Sequence, residues 1–229
     1  MELLHNGYRL QLCPGAFPLS TDSVALAGFT KLPRNASVLD LGSGCGTLGM
    51  LLCAGDENCC VTGVELDEDA HRTACKNASE NGISHRLSSI CADIQTIPSF
   101  IKAGSFTCCI SNPPYFSSGP QSKTVPNARR DDLCSMDTLM HSATWALKFG
   151  GDFFLVHRPE RLAELIACAA KYGLEAKRLL LLRHRPGDHV NLVFVQLRKG
   201  AKPGLVLEEE CLFDLNNKPT DYYRRIYHI

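Results

Sequence analysis

The sequence lacks net charge. Its 24 Lys and Arg residues balance 24 Asp and Glu across 229 positions, so no overall field marks it as a binder of nucleic acid or membrane surfaces. A partner of that kind would have to meet a local patch. No run approaches the ~18 uninterrupted apolar residues of a membrane-crossing helix, and residues 1–9 hold no apolar core of signal-peptide length. The chain is therefore expected to be neither exported nor membrane-spanning. Pro/Gly/Ser-rich linkers, internal repeats and low-complexity stretches are missing too, which favours one domain with appendages. Twelve cysteines are present, yet no Cys-x-x-Cys occurs. Cys59-Cys60 and Cys108-Cys109 are adjacent pairs, while Cys53, Cys91 and Cys168 lie in apolar runs. This usage argues against a disulfide framework or a zinc site and for thiols as packing groups in a reducing cytoplasm.

What is present is an ordinary core, with 45% hydrophobic and 21% charged residues, arranged in alternating strand and helix signals. Ser20-Thr21-Asp22-Ser23 is a cap cluster opening an apolar helix. Ser37-Val38-Leu39-Asp40-Leu41 reads as a strand, Gly42-Ser43-Gly44-Cys45-Gly46 as a glycine loop, and Met50 to Ala54 as helix. Glycines there allow close backbone approach, and the helix start offers free N–H groups to a ligand. Gly44, Gly46 and Gly49 also satisfy the dinucleotide pattern, so the loop alone leaves the cofactor open. A second strand, Cys60 to Val64, ends at Glu65, placed for a ribose diol. A third, Leu87 to Ala92, ends at Asp93. A fourth, Phe106 to Ser111, ends in Asn112-Pro113-Pro114-Tyr115.

Any one of the acids at these strand ends can serve as a helix cap. Four polar residues at four successive strand ends point instead to the crevice where open α/β sheets bind ligands. Beyond the turn, 116–132 reads as a long polar loop carrying Lys123, Arg129 and Arg130. A fifth strand, Asp152 to His157, precedes a helix through Ala170. Two further strands, Lys177 to Arg183 and Asn191 to Arg198, are read as an antiparallel hairpin at the sheet edge. Their basic residues Lys177, Arg178, Arg183, Arg185, Arg198, Lys199 and Lys202 face only Asp188 in sequence, and are either a solvated surface or a patch for RNA.

Over about residues 20–200 the chain resembles the class I S-adenosylmethionine-dependent methyltransferases. Leu39-Asp40-Leu41-Gly42-Ser43-Gly44-Cys45-Gly46 is similar to that family's first motif, Glu65 to its ribose-binding acid and Asp93 to its adenine-contacting acid. Asn112-Pro113-Pro114-Tyr115 matches the signature of its amino-methylating branch. Within that branch the chain most resembles the bacterial enzymes that methylate N6 of adenosine 37 in valine tRNA. Ser20-Thr21-Asp22, Ala128-Arg129-Arg130 and the short N-terminal region carry that likeness, although many of those enzymes have Phe in place of Tyr115. The release-factor glutamine methyltransferases share the turn but resemble it with a separate helical N-terminal domain, for which too few residues precede the first strand.

The resemblance implies a Rossmann-like α/β fold with a mostly parallel seven-stranded sheet and an antiparallel edge hairpin. It implies a methyltransferase domain over 1–202, with 1–35 as N-terminal extension and first helix, and a C-terminal extension over 203–229. It implies S-adenosylmethionine held by Thr21, Asp22, Asp40, Gly42, Gly44, Gly46, Glu65, Leu66, Asp93 and Asn112. Catalysis would fall to Asn112, Pro113, Pro114 and Tyr115, and tRNA binding to Tyr115, Lys123, Arg129 and Arg130. The protein would work in the cytoplasm as a monomer or weak homodimer, without metal. Glutamine N5-methylation of a protein, adenine methylation of rRNA or DNA, a non-catalytic RNA-binding adaptor and a nicotinamide-dependent dehydrogenase are the competing readings.

Overall fold

Val38, Leu39, Leu41, Cys108, Cys109, Ile110, Phe153, Phe154, Leu155 and Val156 are all buried, which requires strands covered on both faces. The computed structural model, which describes residues 1–113 and 135–229, builds them into the centre of one sheet. In chain order the elements are β1 (Glu2–Leu3), β2 (Arg9–Leu10), α1 (Thr21–Phe29), β3 (Ser37–Leu41), α2 (Thr47–Gly55), β4 (Cys60–Glu65), α3 (Glu68–Glu80), β5 (Leu87–Cys91), β6 (Phe106–Ser111), α4 (Met136–Ala146), β7 (Leu147–His157), α5 (Leu162–Lys171), β8 (Leu174–Arg183), β9 (Val190–Lys199), β10 (Val206–Cys211) and α6 (Asp221–Tyr227). A 3-10 helix, Ile94–Ser99, with Pro98 inside it, connects β5 to β6.

The main sheet runs β10-β8-β9-β7-β6-β3-β4-β5. Every neighbouring pair is parallel except those made by β9, which is antiparallel to both β7 and β8. Chain order departs in opposite directions from β3 and β6, so the topological switch point, and with it the ligand crevice, lies between their C-terminal ends. Alternate side chains serve opposite layers. Val38, Ile110, Phe154 and Phe194 pack with α1, α2 and α6, whereas Leu39, Cys109, Phe153 and Val195 pack with α4 and α5. Phe153, Phe154 and Phe194 are wholly buried, each contributing roughly 1.5–3 kcal/mol by leaving water.

The Rossmann-like sheet is as expected, with one strand more than the seven read from sequence. Val206–Cys211 pairs in parallel with Arg178–Arg183, so the β8–β9 hairpin is interior and β10 forms the edge. The strand escapes a hydropathy reading because Glu208, Glu209 and Glu210 occupy its middle. Edge strands are commonly charged, which discourages pairing with another chain. Arg178 and Arg183 pair with Glu208 and Glu209 at 3.0 and 2.7 Å. After β10, α6 returns along α1, with Ile226 against Gly28, where a Cβ would fall 2.8 Å from the Ile226 Cγ2.

Candidate active site

β3 delivers Asp40 to the crevice wall at 1% exposure. Neither carboxylate oxygen has a hydrogen-bond partner among the described residues. Burial pushes the carboxyl up to about 8, the nearby Glu65 charge adds to the rise, and the neighbouring Gly49 N–H, which makes no hydrogen bond of good geometry to it, opposes the rise. An ionised Asp40 in this setting calls for a cation.

The glycine loop after β3 is tied to the end of β4. The Gly42 and Ser43 N–H groups donate to the Val64 carbonyl at 2.9 and 3.1 Å. Gly44 N–H donates to Glu65 Oε2, and Asp67 N–H donates to Glu65 Oε1, both at 2.8 Å. Gly42, Gly44 and Gly46 have φ of 75°, 54° and 82°, the left-handed region that glycine enters without a Cβ clash. Gly46 is also the residue preceding α2, and it has no side chain to cover the first amides of that helix, leaving a helix start suited to anionic or polar ligand groups. Leu66 follows Glu65 with 49% of its surface exposed.

Asp93 is partly engaged in local structure, since its Oδ1 accepts the Gln95 N–H at 2.8 Å and caps the 3-10 helix. Asp67, similarly, caps α3 through Ala70 N–H. The cap alternative at Asp93 and a ligand role use different lone pairs and do not conflict.

β6 carries Asn112. The buried Ser111 hydroxyl donates to the Leu41 carbonyl at 2.7 Å, locking the end of β6 to the end of β3 and so to Asp40. The Asn112 Nδ2 donates to Ser23 Oγ at 3.1 Å. That bond uses the amide's donor side and turns Oδ1, the acceptor, the other way. Pro113 is buried beside it. Pro114, Tyr115, Lys123, Arg129 and Arg130 lie outside the described residues.

Ser20 caps α1 through Ser23 N–H, as its sequence suggests. Thr21, at the start of α1, shares a 2.9 Å hydrogen bond with the Tyr227 hydroxyl of α6, a contact 206 positions apart that no local pattern reveals. Asp22 lies in the same first turn. Reading the sequence misses two residues here: Ser23, which passes for a cap neighbour until Asn112 is brought to it, and Tyr227.

The basic residues of the hairpin do not form one patch. Because β8 and β9 are antiparallel, Arg183 and Arg185 stand at the Asn112 end of the sheet, and Lys177, Arg198, Lys199 and Lys202 at the other. The latter group is engaged structurally. Arg198 Nε bonds Asp152 at 2.8 Å, Lys199 Nζ donates to the Thr144 and Leu147 carbonyls closing α4, and Lys177 Nζ donates to the Lys202 carbonyl. Among the described residues no three His, Cys, Asp or Glu side chains are grouped to hold a metal, and no helix is long and apolar enough to cross a membrane.

The sheet order, the glycine loop between Asp40 and Glu65, and Asn112 at the end of β6 define an S-adenosylmethionine-dependent methyltransferase. Residues 20–166 match the methyltransferase small domain family, and the chain belongs to that family. Among curated relatives, the tRNA1(Val) (adenine(37)-N6)-methyltransferase of Photobacterium profundum is 30% identical over 86% of this chain and 84% of its own. The protein of the same name from Shewanella halifaxensis is 35% identical over 76% and 71%. Among solved structures, a predicted O-methyltransferase from Agrobacterium tumefaciens superposes with a TM-score of 0.76 at 21% identity, covering 91% of this chain and 96% of that one. A methyltransferase from Pyrococcus furiosus gives 0.64 at 19%, covering 84% and 89%. The structural likenesses establish the fold.

Proposed function

We propose that the protein transfers a methyl group from S-adenosylmethionine to the exocyclic N6 amine of an adenine in tRNA, adenosine 37 being the position named for its relatives. The observation that carries the reading is the pinned Asn112 amide, held at the switch point beside a buried carboxylate that lacks a partner among the described residues.

The residues suit the cofactor. Asp40 offers a buried anion to the ammonium of its amino-acid part, Glu65 is placed at the ribose, Leu66 and Asp93 at the adenine, and the glycine loop leaves space for close approach. Thr21, Asp22 and Asn112 close the reacting end. When bound, S-adenosylmethionine supplies a methyl group activated by its sulfonium.

The adenine amine is a weak nucleophile because its lone pair is delocalised into the ring. Asn112 Oδ1 accepts one amine hydrogen and the Pro113 carbonyl the other, drawing the nitrogen towards a tetrahedral shape in a site where such bonds are strong. Ser23 Oγ takes up the amide's NH2 group, leaving Oδ1 as the acceptor offered to the substrate. Pro113 and Pro114 restrict φ, and Tyr115 stacks on the base, a contact worth about 1–3 kcal/mol. The remaining work is alignment of amine and methyl. The amine proton becomes acidic once the methyl is in place, so no ionised base is needed beforehand.

Lys123, Arg129 and Arg130 hold phosphates flanking the splayed-out base. Such a protein acts in the cytoplasm, where its tRNA is, as a monomer or weak homodimer. Asn112→Ala should abolish transfer while S-adenosylhomocysteine still raises the melting temperature. Undiminished transfer by that variant would remove Asn112 from the mechanism.

A further inference from the structure

Four aromatic rings form a continuous row on the functional rim of the sheet. His184, just beyond β8, lies 5.0 Å from Phe213; Phe213 lies 5.1 Å from Tyr223; and Tyr223 stacks on Tyr227 at 4.4 Å with planes 28° apart. His184 is exposed and the other three are half-buried. Tyr227 then bonds Thr21, two positions before the Ser23 that holds Asn112. The row therefore ends on the same first turn of α1 that holds Asn112.

A cavity of about 230 Å³ opens at its His184 end, lined in part by Thr21, Asp22, Arg158, Arg183, His184 and Asn191. This is smaller than the ~300–1,000 Å³ of sites that take drug-sized ligands, and suits one base rather than a dinucleotide. Two arginines on its walls supply charge of the sign a phosphodiester needs. Arg183 is paired with Glu209, whose side chain is 56% exposed, and such surface pairs exchange readily for a better-placed anion. The His184 backbone N–H donates to Asn191 Oδ1 at 3.2 Å, which ties His184 to the opposite strand where both line the cavity.

We infer that this rim is a second nucleotide subsite. One base flanking the target adenine stacks on the His184–Tyr227 row, with its phosphate against Arg158 and Arg183. Row, cavity and arginines are contributed by α1, the end of β7, β8, β9 and the C-terminal segment, which gives residues 203–229 a part in substrate binding. The inference rests on the RNA reading above and narrows it: the enzyme grips a single-stranded segment, as proteins that stack unpaired bases on aromatic rings do. A free adenosine, having no neighbour, gains nothing from the rim.

The test is fluorescence anisotropy of a labelled, unmodified anticodon stem-loop of valine tRNA with the full-length protein, alongside stabilisation by S-adenosylhomocysteine. His184→Ala and Tyr223→Leu should each weaken RNA binding about tenfold, the loss of one stacked contact, and raise the KM for RNA with little change in kcat. Tyr223→Phe, which keeps the ring, should bind like the unaltered protein. Stabilisation by S-adenosylhomocysteine should be the same in all. Unchanged RNA affinity in both His184→Ala and Tyr223→Leu would overturn the subsite while leaving the methylation reading intact. An unaltered protein that neither binds nor methylates tRNA would overturn that reading and the subsite with it.

Discussion

The Asn112 side chain is fixed by Ser23, 89 positions earlier, through a 3.1 Å bond from Nδ2 to Oγ. The first turn of α1 thus takes up the amide's NH2 group, which on the proposed mechanism leaves Oδ1 for the substrate. Replacing Ser23 by Ala should lower kcat about tenfold and leave the KM for S-adenosylmethionine nearly unchanged, because a misdirected acceptor costs alignment rather than cofactor affinity. Asn112→Ala should cost about 100-fold or more, as removal of a polar group aligned to the transition state does. Steady-state kinetics with tRNA read both. A Ser23→Ala enzyme with unaltered kcat would show that the amide needs no such support.

With Asp40 in its proposed role at the cofactor's ammonium, cofactor binding should depend on pH. The folded Asp40 carboxyl lies at about 8 against an ordinary 3.8, so between these values the ligand-free folded protein keeps a proton that the unfolded chain has lost. The associated stability is full below about 3.8 and is lost as pH rises through 8. An ammonium partner needs the ionised form, so cofactor binding below pH 8 should release a proton, and affinity should rise with pH before levelling off above 8. Calorimetry in two buffers of different ionisation enthalpy measures the proton directly. Asp40→Asn should abolish the release and weaken binding; release that persists in this variant would place the proton elsewhere.

The glycine loop depends on the absence of a side chain on the next strand. A Cβ at Gly63 would sit 2.4 Å from Ser43 Oγ and 2.7 Å from Ser43 Cβ, and Ser43 is buried. Gly63→Ala should therefore cost about 1–3 kcal/mol of stability and displace the loop that receives the cofactor. Ser43→Gly, which removes both clashing atoms, should recover most of the cofactor affinity in the double variant. Denaturant melts and cofactor titrations of the single and double variants form the cycle, and strict additivity would contradict the contact.

Ile226 joins the C-terminal segment to α1, 5% exposed and seated on Gly28. Ile226→Ala should destabilise the protein by about 2–5 kcal/mol. A thermal melt indistinguishable from that of the unaltered chain would mean that α6 is not held where the structure places it.

The strands that build the crevice were legible because each is a short apolar run ending in a polar residue: Asp40, Glu65, Asp93 and Asn112. Burial on both faces leaves no other composition for a central parallel strand. β10 was hidden by its three glutamates, whose partners Arg178, Arg183 and Arg225 come from distant positions. The basic residues of β8 and β9 looked like one cluster because sequence proximity cannot show that an antiparallel pair sends its ends to opposite edges of a sheet. Ser23 and Tyr227 were illegible for a related reason: each acts through a single long-range hydrogen bond that leaves no periodic trace.

Methylation of an adenine amine in tRNA leaves a product that can be read directly. Its most direct test is incubation of the protein with labelled S-adenosylmethionine and unmodified tRNAs, followed by nucleoside analysis and mapping of the modified position. N6-methyladenosine should appear at position 37 of valine tRNA, and not with Asn112→Ala. Absence of N6-methyladenosine from every tRNA tested, or label found instead on a protein glutamine, would contradict it.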